Sequence, residues 1–323
     1  EVITTASAWV GAFGLATNNI SADEDTDFTF PNFVVDRQAG PTNESSQGLT
    51  FTLSLENSAL FATAPKIGAS GGLSFKPALH RSGTSLVTIS ATDTGGVTFG
   101  GTNQSDSQTF TITVAPVNDR PVLSLPSKLT LNEDSGTTNL TVSVSDVDDD
   151  VTELTLATHS SNESLLPGDS ILMSGSGTNR TMLITPLANA FGAATIQVIA
   201  SDGQASTTNS VVVTVNPVND PPSFTLATNV VAVAEDTAVS FTNFVASASK
   251  GPSNELSQTL TYALSTTNPS FFATLPTINA AGKLTFAPAS NLSGTVEVTV
   301  SLQDSGGTSL GGGGEATVTP TAK

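Results

Sequence analysis

Along most of the chain, apolar and polar residues alternate with a period of two. That spacing puts every second side chain on one face of a half-buried strand. Leu49, Phe51 and Leu53 show it, as do Val87, Ile89 and Ala91, and then Phe110, Ile112 and Val114. The pattern continues through Leu140, Val142 and Val144, Leu154 and Leu156, Ile196, Val198 and Ala200, and Val211, Val213 and Val215. It returns at Leu260, Tyr262 and Leu264 and at Val296, Val298 and Val300. Helical spacing is absent. The runs are short and are parted by clusters of Gly, Asn, Asp and Pro, the residues that turn a chain. Strands of this length and number predict an all-β chain built of antiparallel β-sandwiches of immunoglobulin-like architecture. The Trp and Cys marks of antibody domains are missing: there is no cysteine, and Trp9, the only tryptophan, precedes the first opening strand.

The pattern also repeats over a longer distance. FGLATNNISADEDTDFTFPNFV from Phe13 aligns with FTLATNVVAVAEDTAVSFTNFV from Phe224, a shift of 211 residues. The same shift pairs Gly40, Pro41, Asn43, Glu44 and Gln47 with Gly251, Pro252, Asn254, Glu255 and Gln258, and Asp93 with Asp304. Matching over about ninety positions marks an internal repeat. A middle, more divergent copy shares an ED pair (Glu133, Asp134) and a Ser-Asp-Gly turn at Ser201–Gly203. Pro116-Val117-Asn118-Asp119 recurs as Pro217-Val218-Asn219-Asp220, and the prolines on either side force the chain out of its sheet into a stiff linker. Three sandwiches follow, over 1–117, 118–217 and 218–323. The shift also lays Glu1–Ala12 on Val212–Ser223, so the first residues read as an extra N-terminal strand, the last strand of a preceding repeat.

Charge narrows the partners. The 28 acidic and 10 basic side chains give a net charge of −18, which excludes nucleic acid as a partner. The three repeats carry −6, −8 and −4, so the acidic surplus peaks in the middle copy. Without cysteine there are no disulfide staples, so stability must come from apolar cores, with metal as a further candidate. No run of about 18 apolar residues is present, so no membrane span is expected.

Candidate chemistry gathers at the linkers. Asn118 and Asp119, and again Asn219 and Asp220, offer side-chain oxygens where two sandwiches meet, a position that suits a hard cation. The combination of an ED pair, the D-x-D of Asp146 and Asp148, the turn at Asp202 and the V-N-D-x-P exit resembles the cadherin-like tandem repeats of bacterial surface proteins, over essentially the whole chain. The resemblance implies sandwiches stacked end to end with Ca²⁺ in each joint. Carried over by position, it implies Glu24, Asn118, Asp119, Asp146, Asp148 and Asp202 as ligands at the first joint. At the second it implies Glu133, Asn219, Asp220 and Asp304. The third repeat lacks a D-x-D, having Ala246-Ser247-Ala248-Ser249 there, so the second joint is expected to bind more weakly. At an effective dielectric of 20, two carboxylates 4 Å apart repel by roughly 4 kcal/mol, so the first joint is expected to need a cation. The ED pairs also have a plainer reading, as solvated charges that block strand-edge pairing.

Other motifs fail. The run from Asp146 lacks the Gly and the final Glu of an EF-hand, with Val151 and Ala157 in their places. Gly307-Thr308-Ser309-Leu310-Gly311 matches a nucleophile elbow, but both histidines, His80 and His159, precede the serine and a Gly-rich turn accounts for the motif. One tryptophan and one tyrosine leave little aromatic surface for sugar stacking. No enzyme is expected. The reading is an extracellular, cell-surface structural or adhesive protein with a surface ligand of unknown identity and calcium-stiffened joints. The alternative is a filament subunit whose residues 1–10 donate a strand to the third repeat of another copy, head to tail.

Overall fold

The computed structural model describes residues 12–40, 47–94, 103–307, 315–318 and 321–322. Among them there is no α-helix, only strands and single 3₁₀ turns. The described residues form two compact bodies: those up to Arg120 together with Asp146–Asp149, and the remainder.

In the first body a four-stranded sheet runs in the order Asn19–Asp23, Gln108–Ala115, Gly83–Asp93, Leu49–Leu55. It faces a three-stranded sheet of Phe28–Phe30, Leu73–Pro77 and Phe61–Ile67, with Ala12–Leu15 paired to Val34–Gln38. The inward residues of the period-two runs supply the core. Val87, Ile89 and Ile112 are fully buried, and the Phe33 and Phe110 rings meet edge to face with centroids 4.7 Å apart.

The second body holds two such cores. The first lies between the sheet of Val122–Ser124, Thr138–Ser145, Asn179–Ile184 and Ile171–Ser174 and that of Lys128–Asn132, Ser206–Asn216, Gly192–Ser201 and Thr155–Ser160. The other is lined by Val239–Phe241, Leu284–Pro288 and Phe272–Ile278 on one side. Leu260–Thr266, Val296–Asp304 and Glu315–Val318 form the other side, with Thr321–Ala322 also pairing with Val296–Asp304. Phe244 and Leu302 are buried at its centre.

Two pairs depart from the expected antiparallel order: Asn19–Asp23 runs parallel to Gln108–Ala115, and Lys128–Asn132 runs parallel to Ser206–Asn216. The cause is a break in the opening strand. Val122–Ser124 pairs antiparallel with Thr138–Ser145, the chain is interrupted at Pro126, and its continuation joins the other sheet beside the last strand, which runs the same way. Alternation reports which face a residue occupies and is silent on its neighbour's direction.

One loop contact recurs three times. Asp25, Asp134 and Asp236, the second residues of the ED pairs, all have left-handed backbone, with φ of 62°, 58° and 63°. Each carboxylate Oδ1 accepts the main-chain N–H of a residue 55 positions later: His80 at 3.0 Å, Asn189 at 3.1 Å and Asn291 at 3.2 Å. Those three residues are left-handed too, with φ of 54°, 55° and 57°. Asp, Asn and His tolerate this region better than most side chains. The Asp of each ED pair is therefore a clamp joining two tight turns.

Candidate metal centres at the linkers

The Glu of the ED pair turns the other way, toward the linker. Glu24 and Glu133 are each 2% exposed although both are carboxylates. Glu24 Oε1 accepts the N–H of Val117 at 2.9 Å, and Glu133 Oε1 accepts that of Val218 at 2.8 Å. A buried carboxylate needs such partners, and a linker amide freed from its sheet needs an acceptor. Each satisfies the other, so each Pro-Val-Asn-Asp linker is pinned to the end of its own sandwich. Glu235, the matching residue of the third repeat, is exposed.

At the first linker, Asp119 donates its N–H to Asp148 Oδ2 at 2.7 Å, and Asn118 Nδ2 donates to the Asp119 carbonyl at 2.7 Å. Asp146 folds its own turn: its Oδ1 accepts the N–H groups of Asp148 at 2.9 Å and Asp149 at 3.3 Å, while its Oδ2 is buried and accepts no hydrogen bond. Asp202 lies in the second body, where its Oδ1 closes the Ser-Asp-Gly turn by accepting from Gln204 at 2.6 Å and Ala205 at 2.5 Å. The spacing of the sequence missed His80. Its Nδ1 lies 2.7 Å from Asp119 Oδ2 and 3.8 Å from Asp25, so this half-exposed histidine does meet paired carboxylates. The hydrogen bond to Asp119 raises the imidazole's pKa, and the charges of Asp119, Asp25 and Asp148 add to the rise. No spacing rule would find it, because the contact is made by the clamp that brings residue 80 beside residue 25.

At the second linker, within the second body, Glu133, Asn219, Asp220 and Asp304 come together. Asp304, 6% exposed, accepts from Asn219 Nδ2 at 3.1 and 3.2 Å and from the Gly306 N–H at 2.9 Å. Three further residues join them from the repeated segment Gly251–Gln258. Asp220 donates its N–H to Glu255 Oε1 at 2.8 Å, Gln258 Nε2 donates to Asn219 Oδ1 at 2.7 Å, and Asn254 Nδ2 reaches both Glu133 oxygens at 3.3 Å. Burial raises the pKa of Glu133 against the opposing Val218 bond, and the charges of Asp134, Asp220 and Glu255 raise it further. Burial and then Asp134 raise that of Asp220. Four oxygens here, Asp220 Oδ2, Asn254 Oδ1, Glu255 Oε2 and Gln258 Oε1, are buried and accept no hydrogen bond. A set made only of oxygen acceptors fits a hard cation such as Ca²⁺, which takes six to eight oxygens in irregular geometry.

The G-x-S-x-G serine falls at residue 309, and the proposed donor strand at 1–10; both lie outside the described residues. No helix among the described residues is long and apolar enough to cross a membrane.

None of the curated proteins matches the chain. Among solved structures, it is similar to protocadherin gammaB7 EC3-6, with 18% identity, 96% of this chain and 72% of that chain covered, and a TM-score of 0.45. A second similarity is to Drosophila N-cadherin EC1-4, with 12% identity, 98% and 74% covered, and a TM-score of 0.41. A third is to the I67-I69 fragment of the titin I-band, with 11% identity, 98% and 95% covered, and a TM-score of 0.39. The bacterial Ig domain family matches twice in succession, over residues 118–216 and 219–321, and the break between the two matches falls on the second Pro-Val-Asn linker. With most of its length covered by these two matches, the chain belongs to the bacterial Ig domain family.

Proposed function

We propose that this chain is a non-catalytic, extracellular segment of a structural or adhesive surface protein, made of three sandwich repeats whose joints are stiffened by calcium. One observation carries the calcium reading: each linker has beside it a carboxylate oxygen that is buried and accepts no hydrogen bond, Asp146 Oδ2 at the first and Asp220 Oδ2 at the second. An ionised oxygen in that position is costly unless a cation is its partner. The ligands at the first joint come from Glu24, Asn118, Asp119, Asp146 and Asp148, all of the first body, and at the second from Glu133, Asn219, Asp220 and Asp304. The buried Glu–linker bonds hold each linker backbone in place before any ion arrives. Metal analysis and small-angle scattering of the full chain, before and after chelation, test this reading. Bound calcium and a loss of stiffness on chelation are expected; a chain that retains no calcium from a calcium-containing buffer would overturn it.

A second reading, the head-to-tail filament, is favoured by one feature of the third core. Val231 and Val233 pack against it, yet Val230–Ala234, the counterpart of Asn19–Asp23, forms no strand among the described residues. An edge of that kind accepts a strand from another copy. Deleting residues 1–10 would abolish such polymers; an unchanged assembly state would dispose of the idea.

A further inference from the structure

The second linker lacks the D-x-D that supplies carboxylates at the first, and the resemblance assigns nothing in its place. We infer that the Asn254–Gln258 segment takes over this role: Asn254, Glu255 and Gln258 join Asp220, Asn219, Asp304 and Glu133 in holding a calcium ion at the second joint. The inference rests on the calcium reading above and names the ligands that the reading leaves out.

Three observations point to an ion here rather than to a mere cluster of acids. Glu255 is 5% exposed, and only one of its oxygens, the Oε1 that accepts from Asp220, has a partner. Burying a carboxylate with half its lone pairs unmet is unfavourable unless a cation supplies the missing contact. The two amides are oriented by their neighbours. Asn254 turns its Nδ2 to the Glu133 carboxylate and Gln258 turns its Nε2 to Asn219 Oδ1, so both carbonyl oxygens are left over, and flipping either amide would set oxygen against oxygen. Finally, Glu133, Asn254, Glu255 and Gln258 all line one cleft of about 220 Å³, into which an ion and its waters fit.

Backbone choices keep this arrangement open. Gly251 has φ of +124°, and a Cβ there would lie 2.0 Å from Glu255 Oε2. A Cβ on Gly306 would lie 1.6 Å from Asn219 Oδ1 and 2.7 Å from Gln258 Nε2. The 3₁₀ turn Ser253–Glu255, entered through Pro252, then aims Glu255 at the linker. Mixed carboxylate and amide oxygens suit Ca²⁺, which accepts irregular shells, better than Mg²⁺, which demands a near-octahedral one. The segment is also a repeated one: Gln47, the counterpart of Gln258, buries an Oε1 that accepts no hydrogen bond.

Calorimetric titration of the chelator-treated full chain with CaCl₂ tests the inference, using Glu255→Gln and, separately, Asn254→Asp. Glu255→Gln is expected to bind one ion fewer than the parent chain, or that ion at least tenfold more weakly. Asn254→Asp adds a carboxylate, so it is expected to melt lower than the parent in chelator and to recover the difference in calcium, an exchange that a purely structural role would not produce. A parent chain that binds calcium while both variants match it in ion number, affinity and calcium-dependent melting would overturn the inference and leave the joint reading standing. A parent chain that binds neither Ca²⁺ nor Tb³⁺ would overturn both.

Discussion

Glu133 Oε1 accepts the main-chain N–H of Val218 at 2.8 Å, so a carboxylate buried at the end of one sandwich holds the first residues of the linker that leaves it. Hydrogen bonds to charged groups contribute about 1.5–3 kcal/mol. Glu133→Ala leaves that amide without its acceptor, and a loss of stability in this range is expected in urea unfolding of the full chain. Glu133→Gln keeps an acceptor in place and should cost less. Equal losses for the two variants would show that the carboxylate charge and not the bond is what matters.

The Asp clamps make a separate set of expectations. Asp134→Ala removes the acceptor for Asn189 and should destabilise by about 1 kcal/mol, as loss of a cap does. Asn189 sits at φ 55°, so Asn189→Gly should be nearly neutral while Asn189→Val should cost more than the clamp itself. Thermal melts of the three variants check the ranking; a tolerated valine would contradict the left-handed turn.

Gly306 lies against the amide pair Asn219 and Gln258, with no room for a methyl group. Gly306→Ala is expected to cost about 1–3 kcal/mol, as overpacking does, by forcing the Gln258–Asn219 bond apart. Hydrogen exchange would place the damage at the second linker. Protection lost elsewhere but kept there would refute the assignment.

Tyr262 is the only tyrosine, which makes its titration easy to follow by ultraviolet absorption. Burial against the third core raises its pKa above the usual value of 10. A raised folded-state pKa means that the associated stability is fully present below pH 10 and is lost as pH climbs through the folded value. The absorbance change should therefore come at higher pH in the native chain than in the same chain in urea. Coincident curves would place the phenol in open solvent.

Much of this molecule can be read from one dimension. Strand positions, inward faces and the sites of the two linkers follow from period-two alternation, turn residues and the 211-residue shift, because these are local properties of a chain whose alternate side chains must be buried. That Glu133, Asn219, Asp220 and Asp304 stand at matching places in a repeat is visible for the same reason. Partner identity is not. The parallel pairing of Lys128–Asn132 with Ser206–Asn216, the meeting of His80 with Asp119, and the Asp25, Asp134 and Asp236 clamps join residues tens of positions apart. Glu255 shows the limit most plainly: its repetition was visible in the sequence, yet its neutral neighbours Asn254 and Gln258 carry no charge pattern to mark a site. Only the folded chain buries their oxygens without partners beside Asp220, the arrangement from which the calcium ligands are inferred.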